Sequence, residues 1–296
     1  MYFFSWLSYN VLIVPLSLLP IRVLYIISDG LYVIVYRLIG YRKKVVMTNL
    51  ENSFPEMSVD ERRVISEKYY RHLCDLVVES LKTFTVSRKS AMSRMHWVDL
   101  ELINSFYDQG RPVLLASGHY NNWEMAAVTF DAFAKHHGIA IYKPLSNRYL
   151  DDKMIKSRMK FGLGVMHNRQ VKEEFERLKG QMTAVAFAID QAPSVHSKPH
   201  WMTFLNQDTA ILTGLEKYAM EYNYPVIYIH ITKPKRGHYQ ITPELITDNP
   251  AETRPNEITE KSTRILERDI RHAPEFWLWS HRRWKRTRAS ETSEPS

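Results

Sequence analysis

Glycine is scarce in this chain, at 10 of 296 residues. Neither GxGxxG nor GxxxxGKS/T occurs, which excludes the nucleotide loops that use glycine to bring backbone up to a phosphate. Cysteine is scarcer, with Cys74 alone. One cysteine excludes an intrachain disulfide and a cysteine-rich zinc site, and it fits a reducing compartment. Residues 1–21 carry no charge at all. They also lack a basic n-region and a small-residue cleavage site, so they do not read as a secretory signal. Acidic excess is absent too: 40 Lys and Arg face 32 Asp and Glu, for a net charge of +8. That balance suits an anionic partner such as membrane lipid, an acidic carrier protein or nucleic acid, and charge alone does not choose among them.

What is present begins with that uncharged stretch. Pro15 and Pro20 interrupt it, Arg22 closes it, and a shorter apolar segment runs on to Tyr36. The second segment is short for a membrane span, so a helical hairpin dipping into one leaflet, or one span with an interfacial helix, is expected. The cluster Arg42-Lys43-Lys44 would then lie on the cytoplasmic, anionic side. The alternative is a helix pair buried in a soluble core.

Beyond residue 52 the chain reads as soluble. Ser58-Val-Asp-Glu is a helix-start signal, followed by apolar residues at helical spacing up to about residue 84. Strands are expected at 113–117, 139–143, 183–189 and 225–232, with a hairpin partner at 238–242. Helices are expected at 99–109, 121–136, 150–161, 171–179, 209–222 and 257–272. This alternation predicts an α/β fold, a mixed and mostly parallel sheet flanked by helices. The expected organisation is an attachment segment at 1–44, one catalytic domain at 45–288 and a polar, disordered tail at 289–296.

Directly after the buried strand 113–117 stands GHYNNWE, residues 118–124. A spacing of five puts His119 and Glu124 about 140° apart on a straight helix, which is wrong for two metal ligands on one face. The two meet only if His119 precedes the helix and Glu124 lies inside it. With no third ligand evident, a catalytic metal is disfavoured. Ser117 lacks the GxSxG elbow, and Cys74 lies on an amphipathic helix, so a covalent acyl-enzyme is disfavoured as well. Two readings remain open. His119 is a general base whose second ring nitrogen is held by Glu124, with helix N–H groups behind it for an oxyanion; or His119 caps a helix and Glu124 is solvated.

Five stretches of the chain, in order, resemble the late acyltransferases of lipid A biosynthesis (the lauroyl and myristoyl transferases), within the wider His-x4-Glu acyltransferase group. They are NLENSFPEMSVDER at 49–62, GHYNNWE, YKPLSNRYLDD with RMKFG between 142 and 162, AIDQAP at 188–193 and PEFWLWSHRRWK at 274–285. The resemblance implies an O-acyltransferase at the cytoplasmic face of the cell inner membrane. Such an enzyme takes a fatty acyl chain from acyl carrier protein, or less often coenzyme A, and passes it to a hydroxyl of a lipid A precursor. It needs no metal or organic cofactor, only the acyl-thioester donor. The resemblance implies His119 as base with Glu124 as its orienter. It implies substrate contacts from Asn122, Lys143, Arg158, Asp190, Gln191, His281 and Arg282, with Arg158 holding the acceptor phosphate or helping to set the active site and Asp190 touching substrate or supporting the residues that do. The partners implied are the carrier protein, the lipid and an anionic membrane surface, with no nucleic acid.

Two stretches depart from the family's pattern: Trp201-Met-Thr-Phe-Leu-Asn206 stands where Val-Pro-Phe-Phe-Gly is usual, and Leu215-Glu216 where Pro-Ala is usual. These put the acceptor and acyl length in question more than the chemistry. Another lipid hydroxyl (an aminolipid or lysophospholipid) is the alternative acceptor, and a silent lipid-binding protein of the inner leaflet the alternative class. Trp277, Trp279 and Trp284 suit either a membrane interface or a core.

Overall fold

The computed structural model describes residues 2–194 and 197–288; the tail expected beyond 288 lies outside the described residues. The chain opens with two apolar arms, Tyr2–Leu18 and Ile21–Ile39, bent by 117°. The first arm is α1 (Tyr2–Leu7), a π-helical stretch (Ser8–Ile13) and α2 (Val14–Leu18). Pro15 has no N–H to donate back along the helix, and the wider π turn ahead of it accommodates that loss. Leu19 is extended (ψ 147°), as a residue before proline prefers, and Pro20 caps α3 (Ile21–Tyr32). The two prolines therefore set the bend. No single helix among the described residues is long and apolar enough to cross a membrane; only the bent pair together has that length and composition.

The hairpin packs on the long α5 (Val59–Thr83), and so does the helix between them, α4 (Lys43–Ser53). Ser58 begins α5 with a complete capping box, its hydroxyl accepting from the Glu61 N–H while the Glu61 carboxylate accepts from the Ser58 N–H. Lys82 of α5 donates to the Ser17 and Leu19 carbonyls freed at the bend, at 2.8 and 2.9 Å.

The remaining elements are α6 (Arg88–Met92), β1 (Met95–Trp97), α7 (Glu101–Asp108), β2 (Val113–Ser117), α8 (Trp123–Thr129), β3 (His137–Tyr142), α9 (Arg148–Met159), β4 (Gly164–His167), α10 (Val171–Leu178), β5 (Thr183–Ala188), β6 (His200–Phe204), β7 (Gln207–Ile211), α11 (Gly214–Tyr222), β8 (Val226–Lys235), β9 (His238–Thr247) and α12 (Glu257–His272). Seven strands form one sheet in the order β1-β9-β8-β2-β5-β3-β4, parallel except for the β8–β9 hairpin. The α/β expectation holds.

Three local expectations do not. The helix expected at 121–136 is only Trp123–Thr129, followed by a 3-10 turn (Phe130–Ala132), because the chain must re-enter the sheet at His137. The helix expected from 209 begins at Gly214; Gln207–Ile211 is instead a strand paired with β6. The short strands β1, β4 and β6 add to the expected set, since three to five residues carry no readable period.

The sheet buries both faces, and its two central strands send their next elements to opposite sides. After β2, α8 packs Met125 and Ala126 on the face with Leu115, Ala184 and Ile227. After β5, the chain passes through the β6–β7 hairpin to α11, which packs Leu215 and Ala219 on the other face with Leu114, Val185 and Val226. The crevice at the C-terminal ends of β2 and β5 is therefore a topological switch point, where α/β sheets bind ligands.

Candidate active site

Ser117 of β2 is in register with Ala188 of β5. Two residues beyond each stand His119 and Asp190. The ring Nδ1 of His119 lies 2.7 Å from Asp190 Oδ1, and the His119 backbone N–H donates to Oδ2 at 2.8 Å. The Trp277 indole N–H donates to the same Oδ2 at 2.8 Å. Burial works to raise the Asp190 pKa, but the His119 ring and these donors outweigh it and hold the carboxyl at about 2. Burial works to lower the His119 pKa, and the Asp190 carboxylate overrides it, so the net shift is upward. With the Nδ1 proton on Asp190, Nε2 is left as the acceptor.

The backbone between strand and helix is pinned at each step. A Cβ on Gly118 would stand 2.7 Å from Leu266 Cδ1 and 3.3 Å from Asp190 Oδ2, so a larger residue would force the Leu266 side chain to shift. Tyr120 pairs with Trp277 in an isolated antiparallel bridge. Asn121 takes a left-handed φ of 53°, with its N–H on the Phe276 carbonyl and its side-chain amide on the Ile231 carbonyl. Asn122 then caps α8, accepting the Met125 N–H at 2.9 Å.

His119 opens onto a cavity of about 320 Å³ between α8 and the sheet. Its polar lining comes from the C-terminal ends of the strands and the helices beside them: His119, Glu124, Lys143, Arg158 and Gln191. Inside, the lining is apolar. Ala184, Ala186 and Ala188 on β5 and Ala126 and Ala127 on α8 leave the space that larger side chains would fill. Phe130 and Leu163 close it near Gly138, at the opposite end of α8 from its cap.

The residues expected at the site do not all take their expected parts. Glu124 does not hold the His119 ring: both its oxygens are bound by Arg158, Oε1 to Nε at 2.5 Å and Oε2 to Nη2 at 2.8 Å. Glu124 lies in the first turn of α8, facing α9, and acts on His119 only through its charge, which adds to the upward shift. The carboxylate on the ring belongs to Asp190, expected either as a substrate contact or as a supporting residue behind the site. Asn122 is buried, with its amide nitrogen on Glu79 and its oxygen on the Met125 N–H, and it lines neither the cavity beside His119 nor the small one next to it. The α8 N-terminus likewise offers no free oxyanion donor at Met125, since the cap takes it. Lys143 and Arg158 line the cavity, and Gln191 Nε2 lies 3.4 Å from His119 Nε2.

His281 is on the other side of the histidine, lining a second cavity of about 40 Å³ with His119, Asp190, Gln191 and Trp277. Burial shifts its pKa downward. Arg282 is exposed and lines neither cavity. Trp277 and Trp279 are core residues rather than interfacial ones, and Trp284 is partly buried against that core. The departing Glu216 has a structural part: its carboxylate accepts the Asn256 N–H and the Thr259 N–H and hydroxyl at the start of α12, where negative charge meets the positive end of the helix.

The family model described as bacterial lipid A biosynthesis acyltransferase matches residues 1–286. This chain belongs to that family. As a member it is an acyltransferase of lipid A biosynthesis. It is 28% identical over 293 residues to the lipid A biosynthesis lauroyltransferase of Escherichia coli (strain K12), covering 96% of this chain and 92% of that one. The palmitoleoyltransferase of the same organism is 23% identical over 300 residues, covering 99% and 94%. A lipid A biosynthesis acyltransferase of Haemophilus influenzae (strain ATCC 51907 / DSM 11121 / KW20 / Rd) is 24% identical over 261 residues, covering 84% and 79%.

Within this lipid A acyltransferase, the sequence pointed to His119 through one local motif. Trp277 sits in the PEFWLWSHRRWK block, yet nothing in that block says that its indole serves Asp190. The buried Glu79, which holds Asn122, had no signal: it is one acidic residue on a long amphipathic helix.

Proposed function

We propose that this protein is a membrane-associated O-acyltransferase that moves a fatty acyl chain from an acyl thioester to a hydroxyl of a lipid A precursor. The observation that carries the reading is the position of His119, with its Nδ1 on a buried carboxylate and its other side on a long apolar cavity. The acyl chain lies along the alanine-lined cavity, with its thioester at the polar mouth. His119 Nε2 takes the proton of the acceptor hydroxyl as the oxygen attacks the thioester carbonyl. Asp190 holds the ring and stabilises the imidazolium. Arg158, fixed by Glu124, keeps Nη1 free of partners among the described residues and so offers a donor to the developing oxyanion. The carbon–sulfur bond then breaks, and the imidazolium returns its proton to the thiolate. No metal or organic cofactor takes part in this scheme.

The donor is an acyl carrier protein, whose acidic surface suits the +8 chain. The hairpin seats the enzyme on the cytoplasmic face of the inner membrane. Its outward face is apolar, with Phe4, Ile26 and Leu38 each at least 70% exposed, and Arg42-Lys43-Lys44 come directly after it. The test is mass spectrometry of the lipid product after incubation with acylated carrier protein and a lipid A precursor. The wild type adds one acyl mass, and His119→Ala loses about 10²- to 10⁴-fold in rate while keeping its fold and vesicle binding. A His119→Ala protein that transfers at the wild-type rate overturns the mechanism.

A further inference from the structure

The buried Glu79 lies outside the chemistry, yet it touches the turn that carries it. Glu79 is on α5 and is 4% exposed. Its Oε1 accepts the Tyr25 hydroxyl at 2.7 Å; its Oε2 accepts the Asn122 side-chain amide at 2.6 Å and the Tyr239 hydroxyl at 2.7 Å. Among the described residues it has no ion-pair partner; Lys233 contributes only through its field. Burying a carboxyl group on neutral donors is costly, so a side chain kept there needs a purpose that an apolar residue would not serve.

The three donors come from separate parts of the molecule: Tyr25 from the second arm of the hairpin, Tyr239 from β9 and Asn122 from the cap of α8. The Asn122 amide is held at both ends, its nitrogen on Glu79 and its oxygen on the Met125 N–H. Asn122 stands three residues after His119 and two before Glu124. Fixing it fixes the turn on which both sit, at a point separate from the Asp190 contact.

We propose that Glu79 is a positioning residue for the acyl-transfer reaction. It clamps the Asn122 cap so that His119 stays on Asp190 and Glu124 on Arg158, and through Tyr25 it ties the seat of the hairpin to the same turn. The inference rests on the proposed acyl-transfer function. Glutamine can keep most of the geometry, its oxygen accepting from Asn122 and Tyr239 and its amide donating to the Tyr25 oxygen.

The experiment measures kcat and KM for the acyl donor in folded protein, checked by thermal melting. Glu79→Ala and Asn122→Ala should each lower kcat by about 10²-fold, with donor KM changed by less than about twofold, because the reacting groups are misplaced while the cavity is untouched. The double variant should be no worse than either single one, and Glu79→Gln should recover a large part of the loss. Independent, multiplying losses, an unchanged kcat in Glu79→Ala, or a loss carried by KM alone would each overturn the proposal. If Glu79→Ala does not fold, Tyr239→Phe removes one bond from Oε2, and a folded Tyr239→Phe with wild-type kcat is equally fatal. Absence of transfer by the wild type defeats the functional reading instead, so the two failures are distinct.

Discussion

In the N-terminal hairpin the buried residues include Ser5, Ser17 and Ser28, while Phe3, Phe4, Leu12, Ile26 and Leu38 face outward. In the sheet domain the burial runs the other way: Leu114, Ile227, Ile241 and Trp279 are inside. Apolar groups favour leaving water; the sheet domain satisfies that within its own fold, and the outer face of the hairpin does not. Ser28 bonds Asp75, and the Ser17 carbonyl takes Lys82 and Thr85, so polar contacts join the hairpin to the α5 region alongside the packing of Tyr36 on Tyr70. The hairpin thus leaves an apolar outer face uncovered, which the proposed membrane seat would cover, while the sheet domain closes its apolar residues inside.

The comparison can be broken hardest at Asp190. Asp190→Asn should lower kcat by on the order of 10³- to 10⁴-fold while leaving vesicle binding intact. The pH dependence carries a sign. His119 is raised above the usual 6.5 by Asp190 and must be neutral to act, so the acid limb of kcat/KM lies above that value. Removing the carboxylate leaves burial, which lowers the pKa, opposed only by the smaller effect of the Glu124 charge, so the limb should move to lower pH. A limb that stays in place would assign the shift to another group.

At the hairpin, Ile26→Asp puts a charge where lipid is expected. Binding to anionic vesicles should weaken by about 10- to 100-fold, the cost of losing one buried isoleucine, with kcat on a soluble short-chain acceptor unchanged. Equal vesicle binding would make the outer face idle. A smaller effect is expected inside the cavity. Ala186→Leu should shift preference toward shorter acyl thioesters by about tenfold in kcat/KM, since one filled methylene position is worth about 1–3 kcal/mol; competition between donors of different length reads this. The smallest effect belongs to the local structure of α5. Ser58→Ala should cost about 1 kcal/mol of unfolding free energy in a urea titration, with activity retained.

Much of the fold was legible because its signals are local. The α12 range, the β2 strand and the start of α5 come from period, flanks and capping chemistry. The β6–β7 hairpin was not legible, because strands of five residues are defined by their partners and not by a pattern of their own. The site divides the same way. A glycine after a buried strand, then a histidine, then a helix could be read as one unit, and Glu124 was the nearest carboxylate in sequence. The structure spends Glu124 on Arg158, 34 residues away, and brings Asp190 to the ring from 71 residues away.

Acyl transfer was legible only through the resemblance of whole motifs to a known family; by itself the sequence determined an α/β chain with an uncharged, proline-broken segment and a histidine at a strand end. Those features rest on interactions among residues a few positions apart, which composition and spacing encode directly. Only the tertiary structure decided which acid serves His119. That choice depends on the parallel register that sets Ser117 beside Ala188, and register is a property of two strands together.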